Sequence, residues 1–343
     1  MTISATPDFP AARHALLAWY GAFGRKNLPW RNTSDPYRVY VSEIMLQQTQ
    51  VSTVASRFYG PFLERFPSLA ALASAREPEV LKAWEGLGYY SRARNMHKAA
   101  QQSAPSLPDT PEALKKLPGI GEYVAHAVAC FGFGKQVPVV DVNVRRVLCR
   151  LTATENPPDK EIWRLARAFL GDGDAYSHNQ ALLDLGATVC TARKASCILC
   201  PLSHFCAGKD APLRYPSPKK KKDVPIERLS VGAYISEGDV YMRRRETAFL
   251  GGYYALPEIS RNVASREKCI GCVSQQYSHK RIEASVYVLS ELPGEWNDVP
   301  GLLRIKTGAE KTPPLSAIDK KMLALLDSTL PQVRMTPNTT TRR

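Results

Sequence analysis

The chain has 343 residues, 44% of them hydrophobic and 23% charged, with a net charge of +14. That length suits two domains, each with a core of its own, and the composition is that of a globular chain rather than a disordered or fibrous one. No apolar run reaches the ~20 residues of a membrane-spanning helix, and "MTISATPDFPAARH" lacks the basic-then-apolar order of a signal peptide, so an intracellular location is expected. The positive charge points to a polyanionic partner, nucleic acid first.

Residues 1–210 read as helical. Asp35-Pro36 has the form of an N-cap followed by proline in the first turn, and Tyr37, Tyr40, Val41, Ile44 and Met45 follow as a stripe at helical spacing. Thr110-Pro111 repeats the capping signal before "EALKKL". "LPGIG", Leu117 to Gly121, then predicts a tight helix–helix turn. Gly119 and Gly121 would leave backbone N–H groups open to a phosphate at the start of the next helix. That helix, "EYVAHAVACF", puts Val124, Ala127, Val128 and Phe131 on one face. Another is expected after Asp141, a preferred N-cap, with Val144, Val147, Leu148 and Leu151 as its core side.

Composition changes at "APLRYPSPKKKKDVP", residues 211–225, where four prolines and four consecutive lysines predict an exposed linker. Beyond it Leu229, Val231, Ala233 and Ile235 alternate with polar or small residues, and Gly238-Asp239 offers a turn. Ala284, Val286 and Val288 alternate in the same way, so residues 226–330 are expected to form a strand-rich α+β domain. The tail 331–343 is predicted to be disordered.

Four of the eight cysteines lie between Cys190 and Cys206. In a reducing compartment such a group is metal-binding before it is disulfide-bonded. Four thiolates hold either zinc or an iron–sulfur cluster. A structural zinc site pairs its ligands as two short hooks, whereas here only Cys197 and Cys200 form one. A single loop wrapping the metal suits a cubane cluster better. Arg193, Lys194 and Lys209 would add a basic surface beside it.

"LPGIGEY", "VVDVNVRRV" and the C-x6-C-x2-C-x5-C spacing together resemble the helix–hairpin–helix DNA glycosylases that carry a 4Fe–4S cluster. "LPWR", "SEIMLQQTQV" and "GLGYYSRARN" narrow the resemblance to the MutY-type adenine glycosylases, which remove adenine mispaired with 8-oxoguanine. The likeness is dense over residues 25–210 and implies base excision from double-stranded DNA carrying an A:8-oxoG or A:G mispair, by a monomer. It assigns the cluster ligands to Cys190, Cys197, Cys200 and Cys206.

The chemistry asks for two carboxyl groups, one protonating the departing purine and one stabilising an oxocarbenium-like sugar, as in glycoside hydrolysis. The resemblance gives the acid to Glu43 and the carboxylate to Asp141. Glu43 lies off the apolar stripe, on a half-apolar face that would raise its pKa toward neutrality. Asn143 is expected near the sugar or phosphate, and Tyr123 is expected to orient Asp141. Related lyases carry at the position of Tyr123 a lysine that attacks the sugar, so hydrolysis without strand cleavage is favoured. An endonuclease III-like glycosylase–lyase and a non-catalytic iron–sulfur DNA-binding protein are the alternatives.

A base inside a duplex must be flipped out and its place filled. By resemblance Gln48 fills the stack, Thr49 touches 8-oxoguanine, and Tyr89, or Tyr90, is the opposite wedge. Leu28, Trp30 and Arg31 match the adenine pocket, with Arg31 and Asp184 reaching the edge of the base. "QYSHKRIEASVYVL" is similar to the segment that inspects 8-oxoguanine, which assigns Ser278 and His279 as its readers. The second domain resembles a Nudix fold without the paired-glutamate signature of pyrophosphate hydrolysis.

Overall fold

The computed structural model describes residues 7–217, 223–246, 250, 252–277, 279–296, 301–305 and 315–329. Two compact units divide between Lys219 and Lys220. No helix among the described residues is long and apolar enough to cross a membrane.

The helical unit is organised around Pro36–Met45. The Asp35 carboxylate caps this helix by accepting from the Tyr37 and Arg38 amides, and Pro36 supplies the first-turn φ. The stripe Tyr37, Tyr40, Val41, Ile44 and Met45 is buried as its spacing predicts, but Val39, Ser42 and Glu43 are buried too. Only its first turn, at Arg38, is exposed; from Val39 onward the helix is buried on every side, inside the bundle, where it packs against Glu122–Phe133. Glu43 is therefore an interior residue.

Thr110 caps only Pro111–Leu114, a shorter helix than "EALKKL" suggests, before the chain turns into Glu122–Phe133. Gly119 has φ +76°, and a Cβ there would lie 2.7 Å from the Cβ of Asn95. Both conformation and space require glycine. Gly121 caps the next helix at φ −88° with nothing near its missing side chain, so its contribution is an uncovered backbone.

The extended run 135–140 is fastened by the buried Asn179, whose Nδ2 donates to the Val137 carbonyl at 2.9 Å. The Val139 amide in turn donates to Asn179 Oδ1 at 2.9 Å. Asp141 then caps Val142–Leu151, whose buried Val144, Val147, Leu148 and Leu151 join Leu16, Phe169 and Leu185 in a second core. The start of the expected linker is tied to this unit. Arg150 Nε donates to the Pro212 and Tyr215 carbonyls at 2.8 and 3.0 Å, and Glu155 holds Arg214 and Ser217. The lysines at 219–222 lie outside the described residues.

The second unit is α+β. Its strands are β1 (Ile226–Ser236), β2 (Asp239–Arg244), β3 (Tyr254–Ala255), β4 (Lys268–Gln276), β5 (Arg281–Leu289) and β6 (Leu302–Ile305). They run in the order β3-β2-β1-β5-β4, with β6 also on β2. The β1–β5 pair is parallel and the others antiparallel. Glu237 and Gly238 both have positive φ, the two-residue turn that suits a twisted hairpin, so Asp239 begins β2 rather than sitting in the turn. Val231, Ala233, Ala284 and Val286 face Ile318, Met322 and Leu326 of the helix Ala317–Thr329. Alternation in the sequence thus becomes one apolar sheet face covered by one helix. The tail 331–343 lies outside the described residues.

Candidate active site

Three elements aim their ends into one open cleft of about 790 Å³: the C-terminal part of Pro36–Met45, the first turn of Glu122–Phe133 and the first turn of Val142–Leu151. Glu43, Tyr123, Asp141 and Asn143 line it, with Leu28, Trp30, Arg31, Gln48 and Thr49 on its other walls. Nine residues scattered over 116 positions of sequence are gathered in one place.

Glu43 is 6% exposed. The Tyr123 hydroxyl donates to its Oε2 at 2.7 Å. Burial pushes the Glu43 carboxyl up to about 7, against the lowering effect of that hydrogen bond, and the nearby Asp141 charge adds to the rise. Tyr123 was expected to orient Asp141, but its hydroxyl bonds Glu43 instead. Burial and the adjoining carboxylates push the phenol well above its ordinary value, so it stays a donor. Asp141 is oriented by its own helix. Its Oδ1 accepts from the Asn143 and Val144 amides at 2.8 and 2.7 Å, and Asn143 Nδ2 donates to Oδ2 at 2.6 Å. Burial raises the Asp141 carboxyl while those three N–H donors work against it. One acid is thus left with a single phenolic partner, the other with three donors at a helix N-terminus. That is the asymmetry that separates a proton donor from a persistent carboxylate.

Arg31 and Asp184 form an ion pair. Arg31 Nη1 and Nη2 donate to the Asp184 oxygens at 2.6 and 2.8 Å, and the same carboxylate accepts the Arg25 amide and Nε at 2.8 and 2.7 Å. Asp184 is 1% exposed and is not among the residues lining the cleft. Burial opposes its charge, but the two guanidiniums outweigh it and hold the carboxyl below its usual range. Both Asp184 oxygens are engaged by Arg25 and Arg31, so in this arrangement the carboxylate fixes Arg31. Arg31 itself remains in the wall of the cleft, with Trp30 edge-on to Tyr59 at 5.4 Å beside it. Gln180, 5% exposed, lines the same cleft and was missed from sequence, since a glutamine in "SHNQALLDL" carries no motif.

Gln48 and Tyr89 both sit in the left-handed region, at φ 57° and 49°, with exposed side chains. Gln48 and the half-buried Thr49 are on the rim of the cleft, whereas Tyr89 lies apart from it. Tyr90 packs on the core, so Tyr89 is the tyrosine in the open. Gly119 lines a separate small cavity with Asn95 and Arg92. His279, in the second unit, is exposed. Ser278 lies outside the described residues.

Cys190, Cys197, Cys200 and Cys206 are free thiols lining one small cavity, which no described carboxylate or imidazole shares. Among the described residues no group of three or more His, Cys, Asp or Glu side chains is arranged to hold a metal ion. Burial pushes the Cys200 and Cys206 thiols up to about 12 and 11, and each is further raised by the neighbouring sulfurs. The buried Arg150 donates from Nη1 to Cys190 Sγ at 3.2 Å. Arg146, one turn earlier, spans from the Cys190 carbonyl (2.9 Å) to Asn143 Oδ1 (2.8 Å). The helix that Asp141 caps therefore runs from the cleft to the cysteine loop. Arg193, Lys194 and Lys209 are exposed near that loop.

The profile described as HhH-GPD superfamily base excision DNA repair protein matches residues 41–170. The adenine DNA glycosylase of Mycobacterium tuberculosis (strain CDC 1551 / Oshkosh) is 40% identical over 221 residues, covering 60% of this chain and 71% of that one. The human adenine DNA glycosylase is also 40% identical, over 220 residues and 59% of this chain, but the chain spans only 40% of that protein's length. Among solved structures a thermostable thymine-DNA glycosylase aligns at TM-score 0.55 and 27% identity, over 59% of this chain and 96% of its own. A non-covalent endonuclease III–DNA complex shares the fold at TM-score 0.52 and 20% identity, over 60% of this chain and 98% of its own. On the share of the mycobacterial relative that it matches, together with the carboxylate pair and the glycine hairpin, the chain belongs to the adenine DNA glycosylase family.

Proposed function

We propose that the chain is a monofunctional adenine DNA glycosylase of base excision repair, acting on adenine opposite 8-oxoguanine or guanine in double-stranded DNA. The observation that carries this reading is the unequal pair of carboxyl groups in one cleft, Glu43 held near neutrality by burial and Asp141 capped by three donors. Glu43 gives its proton to a ring nitrogen of the flipped adenine while the bond from that base to C1′ breaks. The base leaves neutral, with the bonding electrons. Asp141 faces the positive charge that develops on the sugar, water adds at C1′, and its surplus proton returns to Glu43 or solvent. Leu28, Trp30, Arg31 and Gln180 supply a part-apolar, part-polar wall for a purine. Gln48, Thr49 and Tyr89 fill and inspect the opened stack.

The all-sulfur donor set around one cavity fits a 4Fe–4S cluster held by Cys190, Cys197, Cys200 and Cys206. Cys190, Cys197, Cys200 and Cys206 would bind it as thiolates, giving up their protons to its irons, and the bound cluster would supply a fixed frame for the loop that carries the basic residues Arg193, Lys194 and Lys209. Residues 226–330 are read as a Nudix-like domain in which Ser278 and His279 recognise 8-oxoguanine. The residue ranges 1–210 and 226–330 are proposed as the two domains, and a monomer in the intracellular space as the working state. Against the lyase alternative stands Tyr123, a phenol already committed to Glu43, where a nucleophilic amine would be required.

The test is single-turnover excision on a duplex with adenine opposite 8-oxoguanine, read with and without alkali beside an oxidised-pyrimidine duplex. Strand breaks confined to the adenine strand and dependent on alkali are expected. Alkali-independent breaks at the pyrimidine would replace this reading with the lyase.

A further inference from the structure

Two exposed residues with left-handed backbone, Gln48 on the rim of the cleft and Tyr89 apart from it, lie 41 positions apart in sequence, yet one side chain ties both together. Arg92 Nη1 donates to the carbonyls of Ile44 (2.9 Å), Met45 (3.1 Å) and Gln47 (2.6 Å). Its Nη2 donates to the Gly88 and Leu87 carbonyls at 3.2 and 3.3 Å and to Thr49 Oγ1 at 3.4 Å. The guanidinium also stacks over the Tyr89 and Trp84 rings, 5.4 and 5.5 Å from their centroids. Trp84 Nε1 donates to the Gly88 carbonyl at 3.0 Å, so the second loop is held from both sides.

Ile44 and Met45 end the helix that carries Glu43, and terminal carbonyls of a helix have no partner of their own. A cation is favoured there. A left-handed backbone is disfavoured for any residue with a side chain and persists only where its surroundings fix it. Arg92 meets all these demands at once: it terminates the catalytic helix, closes the turn before Gln48 and closes the turn before Tyr89. We propose that Arg92 is a positioning residue that sets the Gln48 and Tyr89 tips as a pair, so that both enter the duplex together when the target base is extruded. The inference rests on the reading of Gln48 and Tyr89 as the residues that fill the opened stack. Only a planar fork reaches both loops; a lysine at 92 keeps the charge but serves one loop at a time.

The experiment compares Arg92→Lys, the double variant Q48A/Y89A and the triple combination. Two readouts are used: the single-turnover excision rate, and the fluorescence rise of 2-aminopurine placed at the flipped position. Circular dichroism and thermal unfolding report folding. Arg92→Lys is expected to slow excision and flipping roughly ten- to hundredfold, the scale of an ångström-level misplacement, with its fold retained. Added to Q48A/Y89A it should change the rate less than about twofold, because residues acting through one another are not additive. Wild-type rates for Arg92→Lys, or the same loss in both backgrounds, would overturn the proposal. If Q48A/Y89A itself excises normally, the reading of the tips fails and the proposal falls with it, a result distinct from failure at Arg92 alone. Should the lysine variant not fold, Arg92→Gln, which also lacks the two-armed fork, is judged by the same readouts.

Discussion

Replacing Glu43 by glutamine removes an ionisable group from the interior while keeping its shape and an oxygen to accept the Tyr123 hydroxyl. Burial lifts the carboxyl from its ordinary 4.5 to about 7, so the folded protein binds more protons than the unfolded chain between those values. Stability therefore falls as pH rises through that window and levels off above it. At 1.36 kcal/mol per pH unit the ionised form costs about 3 kcal/mol above pH 7, but only about 1 kcal/mol near pH 5. Glu43→Gln is expected to be more stable than the native sequence by that pH-dependent margin, measured by urea unfolding at pH 5, 7 and 9. It should bind a mispaired duplex and excise nothing. The native enzyme should lose excision rate above pH 7 as the proton donor empties, about tenfold per unit. A stability difference independent of pH, or retained excision by the glutamine variant, would refute both the buried-acid argument and the role built on it.

Two further outcomes test the surroundings. Asp184→Asn leaves Arg31, and in part Arg25, without their carboxylate. Since breaking a buried pair strands its charge, it should cost about 3 kcal/mol of stability by denaturant unfolding, and native-like stability would show that the pair does not anchor the cleft wall. Iodoacetamide applied to the folded protein should label the exposed Cys269 and Cys272 first and spare the buried Cys130 and Cys149, where burial pushes Cys130 up to about 12. Peptide mass spectrometry reads this, and early labelling at Cys130 would contradict the packing of the helical unit.

Much of the molecule was legible in the chain because the information is local. A capping aspartate, a proline in the first turn and apolar spacing placed Pro36–Met45 and Val142–Leu151 and their core faces. Alternation placed β1 and β5. Gly119 announced a turn that its positive φ and the closeness of Asn95 then require. Cysteine spacing alone singled out one loop, and four thiols do line one cavity there.

What needed the tertiary structure was every relation between distant side chains. The sequence placed Glu43 on a half-apolar face, but only packing against Glu122–Phe133 made it interior and raised its pKa. It offered Tyr123 as a partner for Asp141, whereas the crossing of two helices directs the hydroxyl to Glu43. It presented Arg31 and Asp184 as two ligands of a base, yet their burial side by side makes each the other's counter-ion. Gln180 lies in no motif, and Arg92 is one residue within "GLGYYSRARN" that nothing in the motif singles out, because the significance of both lies in what the fold brings to them. Local propensity follows from a few neighbouring residues, while pKa, ion pairing and loop fastening depend on which surfaces lose water together.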